Sequence, residues 1–209
     1  MWKGLSLAVW MALIVPTIGL ADIADFGPPP ATAPFDDVDD ATLQAEVTRQ
    51  ALAFLDTLHR HWGEGPDRLR TAVDGPVERE EAGTLLYLRN LHAHGVLEGY
   101  EFRKGSLARG RYLLLQGPLN GLNEFIGYYT ALKQALSTAY GAPQFDRVVW
   151  DNDLYAPLPE YWGVAVMIGH LHYHAAWETT EGRLTLELSG NRYSRLSLEY
   201  RVRREAADA

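Results

Sequence analysis

Two stretches of this chain place apolar residues every three or four positions, and each is followed by runs that favour strands. In the first, Leu43, Val47, Ala51, Phe54, Leu55, Leu58 and Trp62 mark one face of a helix. Gly63 and the Gly65-Pro66 pair end it, and a shorter helix is expected over 67–73, with Leu69 and Val73 inward. In the second, Phe125, Tyr128, Tyr129, Leu132, Leu136 and Tyr140 mark another face. Asn120 or Asn123 can cap that helix, and Gly141 with Pro143 stops it. A chain that switches from helical to strand texture twice in this way must join helices to sheet.

The strand-like runs are 84–91, 96–102 and 107–115 after the first helices, then 145–150, 164–178, 184–189 and 194–202 after the second. Arg103-Lys104-Gly105-Ser106, Thr180-Glu181-Gly182-Arg183 and Gly190-Asn191 supply the turns between neighbours. Leu184, Leu186 and Leu188 alternate with Thr185, Glu187 and Ser189, so one face of that strand meets water. The reading is an α+β fold, with helices packed on one face of an antiparallel sheet. It occupies 40–209 as a single domain, with two helix-then-meander units at 41–117 and 118–203. A short internal match agrees with repetition: Leu69-Arg70-Thr71-Ala72 precedes Gly75-Pro76, and Leu136-Ser137-Thr138-Ala139 precedes Gly141-Ala142-Pro143. The chain has no cysteine, so no disulfide assists the core.

Ahead of this domain, residues 1–21 read as a secretory signal. Lys3 makes a positive n-region, and Leu5 to Leu20 is uncharged and apolar. Gly19-Leu20-Ala21 offers the small residues that a signal peptidase accommodates, which puts cleavage after Ala21. The run falls short of the ~20 residues that a spanning helix needs, so no stable membrane anchor is expected after cleavage. Residues 22–39 form a linker. Pro28-Pro29-Pro30 and Pro34 extend it, and Asp36, Asp37 and Asp39 keep it hydrated. The expected location is the periplasm or the medium.

The formal net charge is −8, from 19 Lys and Arg against 27 Asp and Glu. Such a balance repels phosphate backbones and anionic lipid surfaces, so neither nucleic acid nor membrane is an expected partner.

Several blocks together resemble a family of uncharacterised exported bacterial proteins. They are Tyr100-Glu101-Phe102 with Gly105 and Gly110-Arg111-Tyr112; Tyr128-Tyr129 with Leu132-Lys133, Leu136 and Tyr140-Gly141-x-Pro143; and Trp150, Asp153-Leu154-Tyr155, Trp162-Gly163 and Trp177-Glu178-Thr179. They span roughly 96–202, about half of the chain. The resemblance implies an exported class and no particular reaction. More distantly, helix–Gly-x-Pro–strands resembles a building unit of the small lipoprotein of the outer-membrane barrel-assembly machinery, and of the beta-lactamase inhibitor protein. Both work by binding proteins, although this chain lacks the lipobox cysteine of the first. The resemblance therefore implies a periplasmic protein as partner.

The histidines are the clearest candidate ligands. All seven fall in alternating sets: His59/His61, His92/His94 and His170/His172/His174. On a strand, alternate residues share a face, so His170, His172 and His174 can line up toward Zn²⁺ or Cu²⁺ if a carboxylate completes the shell. The ordinary reading is a polar strand face whose rings are singly hydrogen-bonded or wet. Asp151-Asn152-Asp153 starts like a calcium loop, but Ala156 and Trp162 stand where glycine and glutamate are required. Tyr155, Tyr161 and Trp162, beside Pro157 and Pro159, suggest an aromatic patch for a protein partner. No Gly-x-Ser-x-Gly elbow, phosphate loop or identifiable acid pair is present, and Glu124, Glu178 and Glu187 stand as isolated acids. The reading is a non-enzymatic protein-binding or scaffold domain. The alternatives are a metal-binding protein using the histidine strand and an unrecognised hydrolase.

Overall fold

The structure is a computed structural model that describes residues 39–203 apart from 93, 118 and 120. The expected signal at 1–21 and the linker as far as residue 38 lie outside the described residues. Helix α1 spans Asp40–Arg60. Its N-cap is Asp39, whose carboxylate accepts from the Thr42 N–H at 2.8 Å and occupies the positive end of the helix dipole. The last aspartate of the expected linker is thus the cap of α1. Helix α2 spans Pro66–Ala72, with proline at its first position. Helix α3 spans Glu124–Tyr140. Gln44 of α1 sits against Gly127 of α3, and His59 near the end of α1 stacks toward Tyr140 at the end of α3. The two long helices therefore run side by side in one direction.

Eight strands follow in two sets of four. The first set is β1 (Arg79–Glu81), β2 (Thr84–Leu91), β3 (His94–Arg103) and β4 (Ser106–Leu115). The second is β5 (Phe145–Trp150), β6 (Leu171–Glu178), β7 (Gly182–Gly190) and β8 (Ser194–Val202). They form one antiparallel sheet in the order β1-β2-β3-β4-β8-β7-β6-β5, so the last strands of the two sets meet in the middle. This is the expected α+β architecture. Each half is helix and then meander, although the second inserts a short helix, α4 (Trp162–Met167), between its first two strands. The internal sequence match aligns α2 with the end of α3, whereas packing makes α1 the counterpart of α3.

The helices cover one face. Val47, Ala51, Phe54 and Leu58 of α1 meet Tyr100 and Tyr112, with the Phe54 ring 5.3 Å from that of Tyr100. Tyr129 and Leu132 of α3 meet Tyr173, Leu186 and Leu198. Close approach demands glycine at Gly110 on β4, where any β-carbon would overlap the Leu58 side chain.

Two expectations changed. The 164–178 run is not one strand: 162–167 is helical, Gly169 turns with φ +79°, and β6 begins at Leu171. An unbroken apolar run such as Val164-Ala165-Val166 has no period to tell helix from strand. Strand β1 carries no apolar residue at all, so no alternation announced it. Among the described residues no helix is long and apolar enough to cross a membrane.

Candidate interaction surface

The three histidines of the 170–174 run take separate partners. His172 Nε2 lies 3.0 Å from Asp151 Oδ2 and 3.0 Å from the Gly169 carbonyl. His174 packs its ring edge-on against Phe145 at 4.9 Å. His170, in the turn before β6, faces Tyr155 at 6.2 Å. Among the described residues no three His, Asp or Glu side chains gather as a metal ion requires. Alternation put His172 and His174 on one face of β6, and His170 stands in the turn that precedes the strand.

Of the three aromatic residues expected at a binding patch, Tyr161 is exposed, at 41%. Trp162 packs against Trp150 at 5.9 Å and donates Nε1–H to the Ala156 carbonyl at 3.2 Å, while Tyr155 lies half-buried against the core. Those two rings hold the 151–161 loop in place and push its aliphatic residues outward. Leu154 is 63% exposed, and Leu158 is exposed beside it.

These residues have company from elsewhere in the chain. The Asn123 side chain accepts from the Gly163 N–H at 2.7 Å and donates to the Pro159 carbonyl at 3.0 Å. Asn123 therefore pins the start of α3 to the 151–162 segment instead of capping its own helix with its side chain. Leu122 is exposed at the same junction. Gln116 accepts from the Ser194 N–H at 2.6 Å, which ties the end of β4 to the β7–β8 turn, where Tyr193 is 68% exposed. Ile168, exposed between α4 and β6, completes the group. Six of the nine large hydrophobic residues exposed among the described residues thus sit at one end of the sheet: Leu122, Leu154, Leu158, Tyr161, Ile168 and Tyr193. The turns at the opposite end, 82–83, 104–105 and 179–181, contribute none.

A buried polar clasp underlies this end. His94 opens β3, and Glu124 opens α3; their side chains are 2% and 1% exposed. The Gly117 N–H donates to His94 Nδ1 at 3.0 Å, which places the ring proton on Nε2, 3.0 Å from Glu124 Oε1. The Tyr128 hydroxyl donates to the same carboxylate oxygen. Burial, and next this hydrogen bond, push the Tyr128 phenol well above its ordinary range. A histidine, an acid and a phenol are in contact here, sealed from solvent, and tie the start of β3 to the β4–α3 connection. The sequence flagged His94 and Glu124 separately; 30 positions apart, nothing local joined them.

The sheet face opposite the helices is built differently. Leu86, Leu97, Leu113 and Ala176 are buried there, apart from the main core cluster. Leu86 lies flat over Gly99, its Cδ2 only 3.3 Å from where a β-carbon would stand. Toward the centre, Glu199 of β8 accepts from three arginines: Arg109 at 2.6 Å, Arg111 at 2.9 Å and Arg201 at 3.0 Å. Burial opposes ionisation of Glu199. The hydrogen bond and charge of Arg109, with those of Arg111, override it and hold the carboxyl down to about 2.

Compared with known proteins, the chain matches no family model, no curated protein and no solved structure.

Proposed function

We propose that this chain is an exported, non-enzymatic protein-binding domain whose recognition surface is the loop end of its sheet. The observation that carries this reading is the gathering of exposed apolar side chains there, from four separate connections, beside an opposite end that has none. Isolated exposed hydrophobics are ordinary, but a concentration on one rim favours a contact surface. Pro157, Pro159 and the Asn123 hydrogen bonds stiffen the rim, which lowers the entropy lost on binding. Export rests on residues 1–21, with their positive start, uncharged apolar run and small residues at 19–21.

Site-specific photocrosslinking tests the surface. A photoreactive phenylalanine analogue is placed at 154 or 161, with 104, in the opposite turn, as control. In the producing cells, 154 and 161 should each yield a discrete protein adduct and 104 none. No adduct from either, or an equal one from 104, refutes the loop-end surface. Export is read from the mature N-terminus by mass spectrometry: a chain starting at Asp22 supports it, and an intact Met1 in the membrane fraction refutes it.

A further inference from the structure

We propose that edge strand β5 is an interface between two copies of this chain, which pair β5 to β5 antiparallel about a two-fold axis. This surface runs along one side of the sheet and is distinct from the rim of exposed residues at its loop end.

The two edges of the sheet are built differently. At one, β1 is only Arg79-Glu80-Glu81, and Arg70 donates to Glu80 at 2.7 Å. So short and charged an edge resists further pairing. At the other, β5 offers six residues and pairs with β6 alone. The Asp151 N–H donates to the His170 carbonyl at 2.9 Å in the β5–β6 register, so Phe145, Arg147 and Val149 turn their main-chain groups toward β6. Asp146, Val148 and Trp150 turn theirs outward, where no strand meets them among the described residues. Val148 is 52% exposed and Val149 43%, on opposite faces of the strand. With Leu88, they are the exposed large hydrophobics that the loop end does not include. A strand added at this edge covers both valines.

The residues of β5 themselves select a second copy. Two-fold pairing through the outward groups, centred on residue 147, sets two Arg147 side chains opposite each other. Centred on 148, it sets Asp146 against Trp150 and Arg147 against Val149. Centred on 149, it sets Val149 against Val149, Val148 against Trp150 and Arg147 against Asp151. Of these, only the last matches apolar with apolar and charge with opposite charge, the combination that stabilises cross-strand pairs. Arg147 has no carboxylate of its own to meet: its guanidinium lies 5.0 Å from the centre of the Phe145 ring and forms no ion pair among the described residues. Asp146 is already held by Lys133 at 3.0 Å. Such a contact uses the same patch on both copies and closes at two.

The test is analytical ultracentrifugation of the full mature chain at physiological salt over a range of concentrations. A monomer–dimer equilibrium is expected. Val149→Lys sets two lysines face to face and should weaken the dimer about tenfold or more. Val148→Pro removes an outward N–H and spares the pairing with β6, so it should weaken the dimer too. Leu88→Lys should not. Arg147→Asp should weaken it, and adding Asp151→Arg should restore it. The chain has no cysteine, so Val149→Cys reads the register directly. Its two copies form a non-hydrogen-bonded pair with Cα atoms about 4.5 Å apart, within disulfide reach. Mild oxidation should therefore give a covalent dimer from Val149→Cys and none from Leu88→Cys. Circular dichroism confirms that each variant folds; Val149→Lys decides if the proline variant does not. A monomer at every concentration, a dimer that Val149→Lys leaves unchanged, or no covalent dimer from Val149→Cys overturns the inference. A photoreactive residue at 148 that crosslinks to a different protein and never to a second copy overturns it too.

Discussion

Arg109 on β4 donates to Glu199 on β8 at 2.6 Å, across the strand pair that joins the two halves of the sheet. The pair is mostly shielded from water, and Arg111 closes on the same oxygen at 2.9 Å. The seam between the halves is thus electrostatic on the face away from the helices and apolar on the helix face, where Tyr112 and Leu198 stand opposite each other.

That relationship fixes a pH response. Glu199 is held down to about 2 in the folded chain, from an ordinary 4.5. A depressed carboxyl contributes stability that is complete above the unfolded value and is lost as pH falls through the folded one. Between pH 4.5 and 2 the domain should lose about 2–3 kcal/mol from this group, at 1.36 kcal/mol per pKa unit. Urea unfolding at a series of pH values measures it. Glu199→Gln should remove most of that slope; an unchanged slope would show that other carboxylates carry it.

Gly110 should tolerate no side chain. Gly110→Ala places a methyl into Leu58, and the cost of overpacking is about 1–3 kcal/mol. Pairing it with Leu58→Ala should relieve the clash, so that the double variant loses less than the two single losses combined. Strict additivity in thermal unfolding would mean that α1 does not seat on Gly110.

The buried clasp should be costly to open from one side. His94→Ala leaves the Gly117 N–H without its acceptor and takes one donor from the Glu124 carboxylate, at about 1–3 kcal/mol. Tyr128→Phe removes one hydrogen bond to that carboxylate and should cost about 1–3 kcal/mol. In ultraviolet titration of the folded chain, the Tyr128 phenol should ionise only above the ordinary tyrosine range, since burial opposes its charge. If His94→Ala unfolds as the unaltered chain does, the clasp does not hold the β4–α3 connection.

His172 and Asp151 offer a metal only two ligands in this arrangement. Zn²⁺ in modest excess should therefore leave the melting temperature within about 1 °C, because only tight binding to the folded state raises it appreciably. A rise of several degrees that His172→Ala abolishes would bring back the three-imidazole site.

Much of the fold was legible because its causes are local. The spacing from Leu43 to Leu58 and from Phe125 to Leu136 marked both long helices. The alternation around Leu184–Leu188 marked β7, although the face expected to meet water is half-buried at Thr185 and Glu187 and buried at Ser189. Signals failed where locality failed. The Val164–Val166 run is apolar at every position, so it shows no period, and Arg79–Glu81 has no apolar residue to alternate. Asn123 looked like a cap, but its side chain is taken by Gly163 and Pro159, some forty residues along the chain.

The candidate surfaces divide the same way. Residue order was enough to establish the helix-and-strand content, the alternation that puts charge on one sheet face, and the apolar run that starts the chain, since each depends on neighbours within a few positions. Only the folded arrangement decided that Leu122, Leu154, Tyr161 and Tyr193 share one rim, that His94 meets Glu124, and that three arginines converge on Glu199. Those relations arise from strand order and helix packing, which bring together groups far apart along the chain. The histidine run shows the limit of local pattern: His172 and His174 lie on β6, whereas His170 stands in the turn before it and takes Tyr155 as its neighbour.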